Sequence, residues 1–263
     1  MQVFDVHHHL GSLRDPTFEA TVGETADHHV GIMDDLGIDA AGILPAPVYK
    51  NPDGLADTRQ KNDSVAAVRD RYPDRFQLTF GTVEPWYGEA GLPEVDRLLE
   101  SLDGIMWHNR WQRAAVNAPM IFDLVERAAD HDAVVGLHAH AGSDLTAPWR
   151  VFDVTQSFPD VQFVVFDIFS SRAQTTELVE QAPHLDLENV VFDTALAPRL
   201  RTQLPAVIDA IGHDKIIFGS DVYTDQDGPF STLIFEQFAE TELDESVKRA
   251  IFWENAARVF DLE

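Results

Sequence analysis

The chain has 263 residues, which is long for one ordinary domain but normal for an α/β barrel, and 44% of them are hydrophobic, enough for a large core. It carries 45 acidic against 19 basic residues, a net charge of −26 that argues against nucleic acid and anionic lipid as partners. Because it has no cysteine, a disulfide framework is excluded, and any metal site must use His, Asp or Glu.

The sequence shows no membrane or export signal. No apolar stretch approaches the roughly 18 residues that span a bilayer, and the N-terminus lacks the basic and apolar regions of a secretory signal. We therefore expect a cytoplasmic protein. Its acidic residues are scattered rather than gathered into a tail, which suits a high-salt cytoplasm where salt screens self-repulsion. A halophilic source is the second expectation.

The first eleven residues, MQVFDVHHHLG, predict a strand that ends in histidines. A short run of β-branched and aromatic residues closed by Gly11 is typical of a buried strand. Side chains two apart share a face, so His7 and His9 should project together and His8 away from them. Such a pair predicts half of a metal site. The alternative is a fragment of an expression tag, although tags are usually longer and do not interrupt a strand pattern.

The rest of the chain alternates short apolar runs with amphipathic segments. Seven further strands are predicted at Asp39–Leu44, Phe76–Val83, Gly104–Trp107, Ala133–Leu137, Val161–Phe166, Val190–Phe192 and Lys215–Phe218. Helices are predicted at Thr25–Leu36, Lys61–Tyr72, Leu92–Leu102, Pro119–Asp132, Pro148–Phe158, Ser171–Gln181, Thr202–Ile211, Ser231–Ala239 and Asp244–Phe260. About 33 residues per strand–helix unit predict one (β/α)₈ TIM-barrel domain over residues 1–263. A doubly wound open sheet is the alternative, but the glycine-rich turn that it requires early in the chain is absent.

Polar side chains follow most of these strands, and in a barrel the C-terminal strand ends form the face where active sites are built. They are His7, His9, Glu84, His108, His138, His140, Asp167, Asp193 and Asp221. A catalytic zinc needs about three protein ligands and an open position for water, whose pKa it lowers toward about 7. His7, His9, His138 and Asp221 provide this set. We predict a divalent metal here, Zn²⁺ first and Mn²⁺ second, against the alternative of a polar cluster without metal.

Other residues near this face have open roles. For His108, substrate contact and packing are equally expected. Arg110 and Arg113 can each bind a substrate carboxylate, although a surface ion pair is the commoner fate of an arginine in so acidic a chain. Glu84 and Asp193 are expected to hydrogen-bond at strand ends rather than to catalyse.

Six motifs along the chain carry a resemblance to a known family: DVHHHLG, LHAHAG, SFPDVQFVVFD, NVVFDTA, IGHDKIIFGSDVYTD and FWENAARVFDL. Together they resemble the amidohydrolase superfamily, in its branch of small metal-dependent hydrolases and non-oxidative decarboxylases. The resemblance covers Asp5 to Leu262, and FGSD followed by the NAARVF helix is specific in combination. It implies that His7 and His9 are the first-strand ligand pair and that His138 is the fifth-strand ligand.

The resemblance also assigns a role to Asp221 and exposes a departure at Asp167. Asp221 falls on the eighth-strand aspartate, which binds metal and orients or deprotonates the attacking water. Asp167 stands where the family usually has a histidine that binds a second metal or acts as acid or base. A carboxylate can serve as ligand or base there, and His140 is a candidate to compensate. The other interpretation is a weakened or repurposed site.

The expected function is metal-dependent hydrolysis of a small carbonyl compound such as an amide, lactone or ester. The candidate catalytic residues are Asp221, Asp167 and His108. The alternatives are non-oxidative decarboxylation of a small unsaturated or aromatic acid, and a catalytically silent barrel with a binding role. The expected partner is a small-molecule substrate, without nucleic acid or membrane, and the resemblance implies that a homodimer is common for such barrels.

Overall fold

The computed structural model describes residues 1–12, 22–47, 51–140, 142–197, 200–224, 235–238 and 240–262. Eight parallel strands form one sheet in chain order. They are β1 (Phe4–Leu10), β2 (Ala40–Pro45), β3 (Phe76–Gly81), β4 (Gly104–Trp107), β5 (Val134–His138), β6 (Phe163–Phe166), β7 (Val190–Asp193) and β8 (Ile216–Ile217). With the intervening helices, this order is that of the predicted (β/α)₈ barrel, which is confirmed.

The helices lie between successive strands and after β8. They are α1 (Val22–Leu36), α2 (Leu55–Arg71), α3 (Leu92–Leu99), α4 (Asn109–Gln112), α5 (Pro119–Ala129), α6 (Pro148–Ser157), α7 (Arg172–Gln181), α8 (Leu200–Ile211), α9 (Glu245–Arg249) and α10 (Asn255–Phe260). No helix in the described ranges is long and apolar enough to cross a membrane. Of the helix predicted over Ser231–Ala239, residues 235–238 are described and are helical; the remainder lies outside the described residues.

Two predicted helices differ most from the structure. Helix α2 begins at Leu55, whereas the predicted helix begins at Lys61. The apolar periodicity does not reveal the earlier start, because the buried face of the helix includes the polar Thr58 and Asn62. The single helix predicted over Asp244–Phe260 is divided into α9, a π-helical turn and α10. A π turn adds a residue to one turn, and periodicity counted over so short a segment does not reveal it.

Packed aromatic side chains close the core at the N-terminal end of the barrel. Phe4, at the start of β1, packs edge-on against Trp253 with ring centroids 6.4 Å apart, and its centroid lies 6.5 Å from that of Phe260 on α10. Ala256 of α10 belongs to the same buried cluster. The C-terminal helix therefore covers one end of the barrel, and the strand ends at the other face carry the polar residues.

The barrel closes through an irregular seam between β1 and the segment that follows β8. Strand β8 has only two residues, so the bonds that close the ring come mostly from residues beyond it. The Asp221 N–H donates to the His7 carbonyl (2.9 Å), and the His9 N–H donates to the Val222 carbonyl (2.8 Å). The backbone thus joins the two segments that carry the predicted first- and eighth-strand ligands.

Candidate metal centre

Three predicted ligand atoms converge at the seam. His7 Nε2 lies 2.9 Å from His9 Nε2. Asp221 Oδ1 lies 3.4 Å from the former nitrogen and 3.5 Å from the latter. Two ligand atoms that are each about 2.1 Å from an ion lie roughly 3.0 to 3.5 Å apart, depending on the angle between them. The spacing of the three atoms is therefore that of ligands around one metal.

His138, the last residue of β5, is the fourth predicted ligand, and it lies beside these atoms. Ligand atoms of His7, His9 and His138 lie within 4.8 Å of one another. Nε2 of His138 is buried and has no hydrogen-bond partner among the described residues. Because buried polar atoms nearly always have a partner, this nitrogen fits the role of a metal ligand. The donor set of imidazoles and one carboxylate suits Zn²⁺ or Mn²⁺.

The second nitrogen of two of these rings is held by a backbone carbonyl. His9 Nδ1 donates to the Pro45 carbonyl (3.1 Å), and His138 Nδ1 donates to the Trp107 carbonyl (2.9 Å). A carbonyl only accepts, so the proton of each neutral ring is on Nδ1 and the Nε2 lone pair faces the centre. Burial lowers the pKa of His9 and of His138 well below 6.5, and the charge of His7 lowers both further. Both rings are neutral at pH 7, the form that binds a metal.

His7 is held by a carboxylate instead. Its Nδ1 lies 2.5 Å from Asp193 Oδ2. Burial works to lower the pKa of His7, but Asp193, with help from Asp221 and Asp167, raises it from 6.5 to about 10. Without a cation, His7 is thus protonated at pH 7, and metal binding must release the Nε2 proton. Asp193 is the hydrogen-bonding strand-end residue that the sequence predicts.

Asp221 is flanked by Tyr223, which the sequence does not single out. Burial raises the pKa of the Asp221 carboxyl well above 3.8, the charge of His7 opposes this, and a hydrogen bond with Tyr223 lowers the pKa slightly. The Tyr223 ring stacks on His9 with centroids 4.4 Å apart. Tyr223 therefore orients both a carboxylate and an imidazole of the centre. The only sequence signal was its position two residues after the aspartate of FGSD.

Asp167 and His108 form the adjoining part of the site. Asp167 Oδ1 lies 4.0 Å from Nδ1 of His7, the nitrogen that faces away from the three converging atoms. Ligand atoms of His108, His138 and Asp167 lie within 4.8 Å of one another. Asp167 Oδ1 and His108 Nδ1 are both buried without a hydrogen-bond partner in the described part of the chain. Both therefore remain available to a substrate or a further ion.

Burial sets the charge of these two side chains. It raises the pKa of the Asp167 carboxyl from 3.8 to about 7; the charge of His7 opposes this rise, and Asp193 adds to it. Burial also lowers the pKa of His108 well below 6.5, and His138, which stacks on it with ring centroids 4.2 Å apart, lowers it further. Around pH 7, then, Asp167 exchanges a proton readily, whereas His108 is neutral.

His140 lies farther out. Its Nδ1 is 2.9 Å from Nη1 of Arg110, and its ring centroid is 6.3 Å from that of His108. Among the described residues, the groups whose ligand atoms converge within 4.8 Å do not include His140. Its role as a compensating imidazole stays a prediction. Arg110 contacts an imidazole here, and within the described ranges it forms no surface ion pair, the commoner fate of an arginine.

The sequence profile of the family described as "Amidohydrolase" matches residues 4–262. The chain belongs to the amidohydrolase family. Among curated proteins, none matches the chain.

Solved structures share the fold of this chain over nearly their whole length. The 5-carboxyvanillate decarboxylase of Sphingomonas paucimobilis is 14% identical, with a TM-score of 0.73 and coverage of 100% of this chain and 99% of that chain. The 2,6-dihydroxybenzoate decarboxylase from Rhizobium is 16% identical, with a TM-score of 0.69 and the same coverage. A dihydroxybenzoic acid decarboxylase from a Polaromonas species, with bound manganese, is 15% identical, with a TM-score of 0.68 and coverage of 99% and 97%. At these identities the likeness shows the fold.

Proposed function

We propose that this amidohydrolase is a metal-dependent hydrolase of a small carbonyl compound such as an amide, lactone or ester. The observation that carries the proposal is the convergence of His7 Nε2, His9 Nε2 and Asp221 Oδ1 beside the unpartnered Nε2 of His138. A divalent ion held by these four residues supplies Lewis-acid polarisation of a carbonyl and activation of water near neutral pH.

The chain's own residues then move the protons. Asp221 accepts, at its carboxylate, the proton that the attacking water loses. Burial raises the pKa of the Asp167 carboxyl to about 7 in the metal-free protein, and the protonated carboxyl donates a proton to the leaving group. His7, with its Nδ1 bonded to Asp193, keeps a fixed ring orientation during both steps.

Decarboxylation of a small unsaturated or aromatic acid is the second candidate, and Asp167 is the observation that favours it. Loss of carbon dioxide leaves a carbanion that must take a proton at carbon, and a carboxyl with a pKa near 7 can supply that proton. Arg110, which contacts His140 at the outer part of the site, is a candidate to bind the substrate carboxylate. Several solved structures of the same fold are decarboxylases.

Metal content tests both enzymatic proposals. We expect the purified chain to hold at least one Zn²⁺ or Mn²⁺ per molecule by elemental analysis. The double variant His7→Ala, His9→Ala should lose the ion and keep its barrel circular-dichroism spectrum. His131→Ala is the control, because His131 pairs with Asp96 on the surface (2.9 Å). An unmodified chain without a stoichiometric divalent ion would contradict both proposals and favour the catalytically silent barrel.

Isotope incorporation separates the two reactions on a panel of amides, lactones, esters and unsaturated or aromatic acids. Hydrolysis in H₂¹⁸O places ¹⁸O in the carboxyl product, whereas decarboxylation in D₂O releases carbon dioxide and leaves deuterium on carbon. We expect ¹⁸O incorporation without carbon dioxide. Carbon dioxide release with carbon-bound deuterium would instead establish the second candidate.

A further inference from the structure

Behind the candidate metal centre, a chain of polar side chains links β1, α1 and the segment after β8. His8 points away from the ligand pair, as the sequence predicts, but it is fully buried. Its Nδ1 lies 3.1 Å from Asp5 Oδ2, and its Nε2 lies 2.7 Å from Nδ1 of His29 on α1. His29 Nε2 lies 2.8 Å from Thr224 Oγ1. We call Asp5, His8, His29 and Thr224 the seam network.

All the hydrogen bonds of the seam network are satisfied with one assignment of protons. Thr224 Oγ1 donates to His29 Nε2, His29 Nδ1 donates to His8 Nε2, and His8 Nδ1 donates to Asp5 Oδ2. In this arrangement His29 carries its proton on Nδ1 only, and burial lowers the pKa of His29 well below 6.5, which agrees with it. A fully satisfied buried network is rigid, because breaking any member leaves a buried partner unpaired.

Both ends of the seam network hold backbone on either side of the seam. Asp5 accepts from Ser220 N (2.9 Å), from Ser220 Oγ (2.6 Å) and from His7 N (3.1 Å). Thr224 Oγ1 accepts from Gly11 N (2.9 Å), and Thr224 N donates to the Gly11 carbonyl (3.0 Å). These contacts therefore brace the seam before and after the ligands, from Asp5 at one end to Thr224 at the other.

The side-chain contacts of the seam network lie where the regular hydrogen-bond ladder between strands is interrupted. The register of β1 against β2 shifts between Asp5 and His8, and β8 ends at Ile217, before the ligand Asp221. Because this irregular seam has no continuous ladder, the few backbone hydrogen bonds that cross it leave the separation of its two segments less determined than in a regular sheet. Side-chain hydrogen bonds from the seam network occupy this interval.

We propose that the seam network is a positioning device that sets the separation between the β1 imidazoles and the Asp221 carboxylate. Ser220 precedes Asp221 and is bonded twice to Asp5, while His8 lies between His7 and His9. Two apolar side chains at positions 8 and 29 would fill the same space, but they would form no hydrogen bond and so would not fix the orientation of β1 relative to α1. The inference rests on the proposed metal site, and it holds for either of the two reactions.

Thr224 offers an isosteric test. Thr224→Val keeps the shape and removes the hydroxyl, which leaves His29 Nε2 and Gly11 N without that partner. We expect the dissociation constant for Zn²⁺ and for Mn²⁺, measured by chelator competition on the full chain, to rise about tenfold, the lower end of the effect of outer-shell partners on metal affinity. Thr224→Ser restores the hydroxyl and should bind within twofold of the unmodified chain. His29→Gln is measured beside them and should also weaken binding about tenfold.

Thr155→Val is the matched control. Thr155 is buried on α6, and its hydroxyl donates to the Phe152 carbonyl within the same helix (3.3 Å). Thr155→Val should leave the dissociation constants for Zn²⁺ and Mn²⁺ unchanged. The visible spectrum of bound Co²⁺, which reports ligand geometry, should change in Thr224→Val and not in Thr155→Val. Circular dichroism of the metal-free proteins verifies the fold. If Thr224→Val does not fold, the dissociation constants of His29→Gln test the positioning role in its place.

The outcomes separate the inference from the proposed function. A folded Thr224→Val protein that binds the ions within twofold of the unmodified chain overturns the positioning role. So does an equal loss of affinity in Thr224→Ser or in Thr155→Val, because the effect would then not come from the hydroxyl of the seam network. An unmodified chain that binds neither ion overturns the proposed function and this inference together.

Discussion

The charge of the candidate metal centre depends on its individual side chains, and in particular on which nitrogen or oxygen atom each of them directs toward the centre. His9 and His138 donate from Nδ1 to carbonyls and present neutral Nε2 atoms. His7 donates to a carboxylate, and its pKa rises to about 10. The same residue type thus behaves in opposite ways, because a carbonyl has no charge with which to offset the cost of burying an imidazolium.

The pH dependence of activity tests the role of Asp167. Its pKa is raised to about 7, so the protonated form predominates below pH 7 and is lost as the pH rises through that value. If the carboxyl donates a proton, kcat/KM should fall above about pH 7. Asp167→Asn should lower kcat by roughly 10²- to 10⁴-fold and remove this limb of the profile.

Asp144→Asn is the control for this experiment, since Asp144 is a surface acid paired with Arg150 (2.9 Å). It should retain the activity and the profile of the unmodified chain. An Asp167→Asn enzyme with an unchanged limb near pH 7 would show that another group donates the proton.

At the level of elements, the turn after β8 depends on a glycine. A Cβ at Gly219, in the FGSD motif, would lie 2.8 Å from Asp193 Oδ2 and 3.0 Å from Cβ of His7. Since β1, β7 and the segment after β8 meet at this point, no side chain fits between them. The FGSD motif therefore has a glycine at this position because three strand ends approach one another closely there.

Gly219→Ala should consequently displace Asp193 or His7. We expect a loss of about 1 to 3 kcal/mol in the free energy of unfolding of the metal-free protein, the usual cost of overpacking, together with weaker metal binding. Urea denaturation and chelator competition measure the two effects.

Gly31→Ala is the matched control, because Gly31 lies inside α1 with no atom within 4 Å of an added Cβ. It should stabilise the protein by roughly 0.5 to 1 kcal/mol through the higher helix propensity of alanine. Equal destabilisation by both substitutions would contradict the steric explanation for Gly219.

For the molecule as a whole, the net charge of −26 sets the response to salt. Many of the described arginines pair with acids at the surface, for example Arg71 with Asp27 (2.9 Å) and Arg127 with Asp96 (2.6 Å). Such exposed pairs contribute little each, and the 26 surplus acids repel one another. Self-repulsion is therefore the larger electrostatic effect on the folded state.

The thermal midpoint of unfolding should rise as NaCl is increased from 0.1 M to 1 M, because the Debye length falls from about 10 Å to about 3 Å. Differential scanning calorimetry of the metal-free protein measures the shift. A midpoint that falls over this range would argue against the halophilic origin, which stays a prediction. The homodimer also stays a prediction, and sedimentation velocity at the same salt concentrations tests it.

The local pattern of strands and helices follows from the amino-acid sequence alone. Apolar runs separated by amphipathic segments specify eight strand–helix units, because burial on a strand and on a helix requires different periods. The two-residue period of a strand places His7 and His9 together and His8 on the opposite face. The strand ends of a parallel barrel share one face, which brings His138 and Asp221 to the same site.

Distances between elements that are remote in the chain follow only from the three-dimensional fold. His7 pairs with Asp193, 186 residues away, and this contact, not the histidine itself, raises its pKa. His8 pairs with His29 on α1, which turns an outward-facing histidine into part of the seam network. Neither partner is specified by periodicity, because hydrogen bonding and desolvation depend on how strands and helices pack in three dimensions.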